Sequence, residues 1–345
     1  GLENAGGIGR MVGYVMAAWN DGTRPPMQVI DTRGPQYRRI VWPLFFLRSV
    51  VQVILNAPRR PILHIHLAAN SSTWRKIIIA RIGRLCGLDY LVQLHDPKYA
   101  EFCSRVPRWL RPSIRRLFQD AAGVIALGSP AATMIARRFG IPEDRIDIVP
   151  NGVPGPSCLR REKRRDERTP PHILFLGQLQ RRKGVHDLIE ALARPEVAGL
   201  SWTATLAGGG SDQPGFAEQA ARLGIRDRLS FPGWLDRELV TGLLETADIL
   251  VLPSYAEEMA MSVLEGMAYG LCVICTAVGA QGEVVEDGVS VLIVAPGDVD
   301  ELAASLVRSI ANPELRRRLG QSARTAYLRA YNIADYPQRI AAIYE

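Results

Sequence analysis

Ala247-Asp248-Ile249-Leu250-Val251-Leu252-Pro253, running on into Ser254-Tyr255-Ala256-Glu257-Glu258-Met259-Ala260-Met261-Ser262-Val263-Leu264-Glu265, is the stretch from which the fold can be read. Its first part is a short run of branched apolar residues stopped by a proline, which predicts a strand buried on both faces. Beyond it Met261, Leu264, Met267, Ala268 and Leu271 recur at helical spacing, so a helix is expected to start near Ala260. The same alternation recurs outward along the chain, with strands expected at 63–67, 91–97, 123–127, 146–150 and 172–177 and helical patterns between them. Such alternation predicts the α/β class. A chain of 345 residues, 47% apolar and 22% charged, has material for two cores of ordinary domain size.

Several classes are excluded or disfavoured. No run of 18 or more uncharged apolar residues exists, so no spanning helix is expected; residues 41–55 come nearest and carry Arg48. No signal peptide opens the chain. It begins at Gly1 in what reads as a loop, and an N-terminal strand is expected to be missing. The five cysteines are odd in number and scattered. Cys272 and Cys275 lie inside an apolar strand pattern with no second pair to complete a zinc site, so they read as buried thiols in a reducing cytoplasm. Asp298-Val299-Asp300 precedes a helical pattern and reads as a helix cap rather than a metal site. Charge is unevenly divided. Residues 1–170 carry 27 Lys and Arg against 13 Asp and Glu, and residues 171–345 carry 15 against 22. A basic half of net +14 and an acidic half of net −7 argue for two domains with different partners. The basic half should seek polyanions or an anionic membrane surface.

Glu257 and Glu265, eight positions apart, straddle the expected strand–loop–helix junction. The N–H groups of a helix start, with the dipole behind them, suit a phosphate. Two acids repel phosphate unless they face other parts of the ligand, and sugar hydroxyls are such parts. A nucleoside diphosphate sugar fits. The alternative is that both glutamates are solvated helix-start residues, and spacing alone favours it.

Pro253-Ser254, Glu257, Glu265, Gly266-Met267-Ala268-Tyr269-Gly270 and Val284-Val285-Glu286-Asp287-Gly288 together resemble the E-x7-E region of the family-four retaining glycosyltransferases, most of all exopolysaccharide mannosyltransferases. The resemblance extends over nearly the whole chain and is strongest from 171 to 295. It implies the GT-B architecture, two Rossmann-like domains facing a central cleft: 1–152 for the acceptor, 153–326 for the nucleotide sugar, and a final helix, 327–345, crossing back to the first domain. It places Glu257 on the transferred sugar and Glu265 on the ribose. His95, at a strand end, corresponds to a histidine near the donor sugar; a lone histidine there is otherwise structural. Glu258, Met259, Ala260 and Met261 fall in the donor loop, where the family usually has glycine after the first glutamate and often proline two further on. In Gln178-Leu179-Gln180-Arg181-Arg182-Lys183-Gly184, Lys183 matches a lysine that meets the donor diphosphate. Gln178 replaces the usual arginine, so Arg181 or Arg182 either compensates or is merely exposed.

The glycine stretch at Gly6 and Gly7 is placed by the resemblance against the donor phosphates. Taken alone, with Asp31, it leaves a dinucleotide-binding reading open. Gly233 borders the nucleobase or belongs to a plain turn. The resemblance implies hexosyl transfer with retention, GDP-mannose first and UDP-glucose second. No cofactor and no metal are expected, because helix dipole and Lys183 can stabilise the departing diphosphate. The expected acceptor is a polyprenyl-diphosphate-linked saccharide at the cytoplasmic membrane face, with no nucleic-acid partner. As a helix, residues 36–60 could dock there, with Arg38, Arg39, Arg59 and Arg60 among headgroups and Trp42, Phe45 and Phe46 inserted. A core helix with charged ends is the equal alternative. Arg75 and Lys76 could meet the acceptor diphosphate. A catalytically silent binding protein, marked by Glu258 and Gln178, is the rival from another class.

Overall fold

The computed structural model describes residues 6–19, 24–34, 42–159 and 169–344. The chain divides into two compact units, Gly1–Gly152 with Ile333–Glu345, and Val153–Asn332. Each holds a wholly parallel sheet covered by helices.

The first unit runs α1 (Gly7–Trp19), α2 (Trp42–Asn56), β1 (Leu63–Leu67), α3 (Ser71–Leu85), β2 (Tyr90–Leu94), α4 (Tyr99–Arg105), α5 (Arg111–Gln119), β3 (Gly123–Ala126), α6 (Ser129–Phe139) and β4 (Ile146–Ile148). Its strands lie in the order β1-β2-β3-β4. β2 and β3 are buried at every residue, as continuous apolar runs in a parallel sheet should be. β1 alternates instead. Ile65 and Leu67 enter the core with Tyr90, Val92, Tyr99, Ile114 and Phe118. His64 and His66 therefore share the other face.

The second unit runs β5 (His172–Leu176), α7 (Val185–Ala193), α8 (Pro195–Ala198), β6 (Thr203–Ala207), α9 (Gln213–Arg222), β7 (Leu229–Gly233), α10 (Arg237–Thr246), β8 (Ile249–Leu252), α11 (Met261–Ala268), β9 (Cys272–Cys275), α12 (Gln281–Val284), β10 (Leu292–Ile293), α13 (Val299–Ala311) and α14 (Pro313–Ala330). The strand order is β10-β9-β8-β5-β6-β7. The order reverses between β5 and β8, which pair directly through Ile173–Ile249 and Leu174–Leu250. Open parallel sheets bind ligands outside the carboxyl ends of their strands at such a reversal. The two loops that leave this point are the ones carrying Lys183 and Glu257.

Four features differ from the sequence-based expectation. The expected final helix, 327–345, is two pieces: α14 ends at Ala330, and α15 (Tyr336–Tyr344) follows. Tyr327 is buried in the second unit, where its hydroxyl donates to Val153 O at 3.0 Å. The boundary thus falls after Asn332. Tyr327, Tyr331, Tyr336 and Ile340 keep near-helical spacing across it, and Pro337, in the first turn of α15, is the local sign of the restart. Gly7 begins α1, so the glycine stretch is largely helix rather than a turn. In α2, Trp42, Phe45 and Phe46 are not the outward residues. Phe46 packs on Val53, Ile79 and Leu88, and the Arg33 guanidinium lies 4.9 Å over the Trp42 ring. The exposed face is aliphatic: Leu44, Leu47, Val51, Ile54 and Leu55. Arg38 and Arg39, like the charged stretch 160–168, lie outside the described residues. No described helix is long and apolar enough to cross a membrane.

Candidate functional site

In the second unit the ends of β5, β6 and β7 are knitted backbone to backbone. Gly208 N donates to Gly233 O at 2.9 Å and Leu179 N to Gly209 O at 3.1 Å. A Cβ on Gly208 would stand 1.8 Å from Gly177 O, so only glycine permits this approach. Gln178 follows on the half-buried rim. Gly233 has φ 76° and open space where a Cβ would be. The turn after β5 then brings Arg182 and Lys183 against the loop after β8. Tyr255 N donates to Arg182 O at 2.9 Å, and Arg182 Nη1 donates to Ala256 O at 2.5 Å. Lys183 Nζ donates to Glu257 Oε1 in a direct ion pair. Arg182 Nη1 stands 3.9 Å from the same oxygen. Lys183 and Glu257 keep only 15% and 12% of their side-chain exposure, so the pair is largely desolvated. Two cations and a carboxylate thus meet at the sheet's reversal.

The acidic loop itself is held from behind by residues that sequence reading missed. Ala280 N donates to Glu258 O at 2.8 Å. Gln281 Oε1 accepts from Ala260 N at 3.0 Å and caps α11. Gly279, at φ 61°, leaves room for Glu257 O, which a Cβ would meet at 2.0 Å. A glycine just before a short helical run was the available signal. Glu258, Met259, Ala260 and Met261 are all buried. The Ala260 N–H is already spent on Gln281. Glu258, the expected extra acid at the donor surface, keeps 8% of its exposure. Glu265 lies more than a turn inside α11 and is 2% exposed. Asp298 caps α13 by accepting from Glu301 N at 2.9 Å, as its D-x-D setting suggested.

In the first unit, His95 follows β2, and its Nε2 shares a 2.9 Å hydrogen bond with Nδ1 of His66 at the end of β1. His64 stacks on His66 with ring centroids 4.5 Å apart, and its Nδ1 lies 2.8 Å from Tyr344 Oη on α15. Gln93, the cross-strand neighbour of His66, donates to Tyr336 Oη at 3.2 Å. The polar face of β1 and β2 is thus covered by two tyrosines of α15. Burial pushes His64 down to about 4. Burial, and then the charge of His64, pushes His95 down to about 3, and His66 is held well below the usual range. All three imidazoles are neutral near pH 7. Burial and then the neighbouring Arg75 push Lys76 down to about 8. Arg75 donates to Thr32 Oγ1 at 3.4 Å. Gly6 and Gly7 have nothing within 4 Å of the Cβ positions they lack.

A doubly wound parallel unit with paired basic and acidic groups at its reversal, and a second parallel unit beside it in the chain, defines a GT-B-type glycosyltransferase fold. Residues 14–154 match Glycosyltransferase Family 4 and residues 159–326 match Glycosyl transferases group 1. The chain belongs to this superfamily of group 1 and family 4 glycosyltransferases. It is 28% identical to the 2-deoxystreptamine glucosyltransferase of Streptomyces kanamyceticus, over 73% of this chain and 68% of that one. It is 29% identical to the MMP alpha-(1->4)-mannosyltransferase of Mycolicibacterium hassiacum, over 69% and 59%. The fold is similar to that of Anabaena HepE, crystallised with UDP, with TM-score 0.69 at 22% identity over 86% and 81% of the two chains.

Proposed function

We propose that this protein transfers a hexosyl group, with retention of anomeric configuration, from a nucleoside diphosphate sugar to a lipid-linked saccharide. The observation that carries the reading is the convergence of Lys183, Arg182 and Glu257 where the strand order reverses. A cation there suits a diphosphate and a carboxylate suits sugar hydroxyls. Lys183 receives the donor diphosphate, Glu257 the transferred sugar, and Glu265 the ribose. Gln178 adds no cation, so Arg182 supplies the second one. Stabilising the departing diphosphate by positioned donors is the main catalytic contribution. His95, neutral near pH 7, acts as a hydrogen-bonding partner of the sugar and not as a charged acid. GDP-mannose is the first candidate donor and UDP-glucose the second; both a mannosyltransferase and a glucosyltransferase stand among the relatives. No resident metal or cofactor is invoked.

The acceptor side falls to the first unit. The charge of Arg33 is felt at Arg75 and that of Arg75 at Lys76, with Asp31 opposing both, and these cations suit an acceptor diphosphate. Its docking partner is an anionic bilayer at the inner face of the cell membrane. Leu44, Leu47, Val51, Ile54 and Leu55 recur on one exposed face of α2, with Arg48 exposed on the same helix and Arg59 and Arg60 just beyond it. Aliphatic residues enter the acyl boundary and arginines meet the headgroups, each cation adding on the order of 1 kcal/mol near such a surface.

Turnover with a panel of GDP- and UDP-sugars, using a polyprenyl-diphosphate-linked saccharide as acceptor, tests the reading. One donor should be consumed, with an α-linked donor giving an α-linked product by NMR. Neither transfer nor donor hydrolysis, with nucleotide still bound, favours the silent binding protein. An inverted product refutes retention.

A further inference from the structure

We propose that His66 is a positioning residue for His95: through their 2.9 Å hydrogen bond it holds the rotamer of His95 and ties the tautomer of His95 to its own, so that Nδ1 of His95 is the nitrogen presented to the transferred sugar. The inference rests on the reading that His95 meets that sugar. An imidazole with both nitrogens unconstrained interconverts between tautomers and rotates about χ2; a second imidazole on one nitrogen holds the rotamer and couples the two tautomers, since one ring must donate and the other accept. Here Nε2 of His95 is engaged by His66, while no described protein group is hydrogen-bonded to Nδ1 in the protein.

His66 is itself unable to turn away. Its ring lies between those of His64, stacked at 4.5 Å and 15°, and His95, at 5.1 Å and 35°. His64 is tied in turn to Tyr344, and Tyr344 packs 5.9 Å from Trp19. Below the rings, His95 N donates to Leu67 O at 2.9 Å, so the loop after β2 is anchored to the end of β1. The series Tyr344, His64, His66, His95 therefore runs from the C-terminal helix to a strand end. It explains why β1 spends its non-core face on two histidines, a choice that adds nothing to the hydrophobic core. A solely structural His66 would be replaceable by any ring that stacks on His64. A positioning His66 is replaceable only by a side chain that reaches His95 Nε2.

The full chain, labelled with 15N at histidine, is compared as wild type, His66→Phe and His66→Asn. Phenylalanine keeps the stacking and removes the hydrogen bond; asparagine places an amide near the position of Nδ1. His95 should report one tautomer in the wild type and in His66→Asn, and a mixture in His66→Phe. His66→Phe should lower kcat about tenfold or more while nucleoside diphosphate affinity stays within about twofold, since the effect is confined to the reacting end. His66→Asn should restore kcat to within about threefold of wild type. His66→Phe should add nothing to His95→Ala, because the two side chains act as one unit. An unchanged tautomer in His66→Phe, or additive losses, overturns the proposal. Full activity of His95→Ala overturns instead the assignment of His95 to the sugar, and the spectra still decide whether His66 positions it.

Discussion

Glu257→Gln separates the two tasks that the site assigns to one carboxylate. Glu257 holds Lys183, the cation proposed above for the donor diphosphate. Lys183 has three N–H donors, but the negative charge that Glu257 keeps beside it opposes a second anion, so carboxylate and diphosphate compete for the same cation. The pair is largely desolvated, at 15% and 12% exposure, so neutralising Glu257 leaves Lys183 a cation short of both water and a counter-charge. A charge-assisted hydrogen bond contributes about 1.5–3 kcal/mol, and some of this returns when Glu257 is released to sugar hydroxyls. Arg182, at 3.9 Å and 37% exposed, adds only at the surface scale of about 0–1 kcal/mol. Removing the charge of Glu257 should thus strengthen nucleoside diphosphate binding by about 1–2 kcal/mol, or about 5- to 30-fold. The same change removes a preorganised contact at the reacting sugar, costing about 2–4 kcal/mol of transition-state stabilisation, about 30- to 1000-fold in kcat. Titration calorimetry with GDP and UDP measures the first effect and steady-state kinetics the second. Nucleotide affinity that falls in step with kcat would refute the competition and show that Glu257 supports the diphosphate site instead.

Lys183→Ala should weaken binding of a nucleoside diphosphate well beyond that of the nucleoside, and equal loss for both ligands would point to a disturbed fold. Stability should depend on pH through the histidine cluster. His64 and His95 titrate near 4 and 3 when folded, below their ordinary 6.5, so the unfolded chain takes up protons first as pH falls. Their contribution is intact above about pH 6.5 and declines toward pH 4, by at most about 1.4 kcal/mol per pH unit for each. Denaturant unfolding between pH 7.5 and 5 should show this slope, and His64→Gln should reduce it; a flat profile contradicts the burial. Leu47→Gln with Val51→Gln and Leu55→Gln should abolish co-sedimentation with anionic liposomes at low salt, whereas Arg48→Gln, Arg59→Gln and Arg60→Gln together should remove the salt-sensitive part. Binding that survives both sets of changes places the docking face elsewhere.

Most of the fold was legible in local pattern. Apolar runs such as 249–252 and 272–275 could only be strands of covered parallel sheets, because a half-exposed strand would have to alternate. The turn ending at Gly184 and the helix start near Ala260 were likewise legible, since turn residues and helix starts leave short-range signatures, whereas the Glu257–Glu265 spacing alone favoured solvated residues and only the family resemblance singled it out. What local pattern does not carry is which loops become neighbours. Lys183 and Glu257 are 74 positions apart and meet only because β5 and β8 pair at the reversal of strand order. Gln281 as the cap of α11, and Gly279 as the space for Glu257 O, arise from the same sheet order. The face of α2 was misassigned for a related reason. Its sequence is apolar on most sides, so periodicity could not say whether the aromatic or the aliphatic residues turn inward; packing on Val53, Ile79 and Leu88 did. In Leu63–Leu67 the alternation put His64 and His66 on one face, but nothing in the local pattern says what meets them. Only the approach of β2 and of Tyr344 on α15, 280 residues from His64, made them a buried neutral series ending at His95. Backbone conformation follows from neighbours in sequence; side-chain partnership follows from contacts whose chain separation no local pattern records.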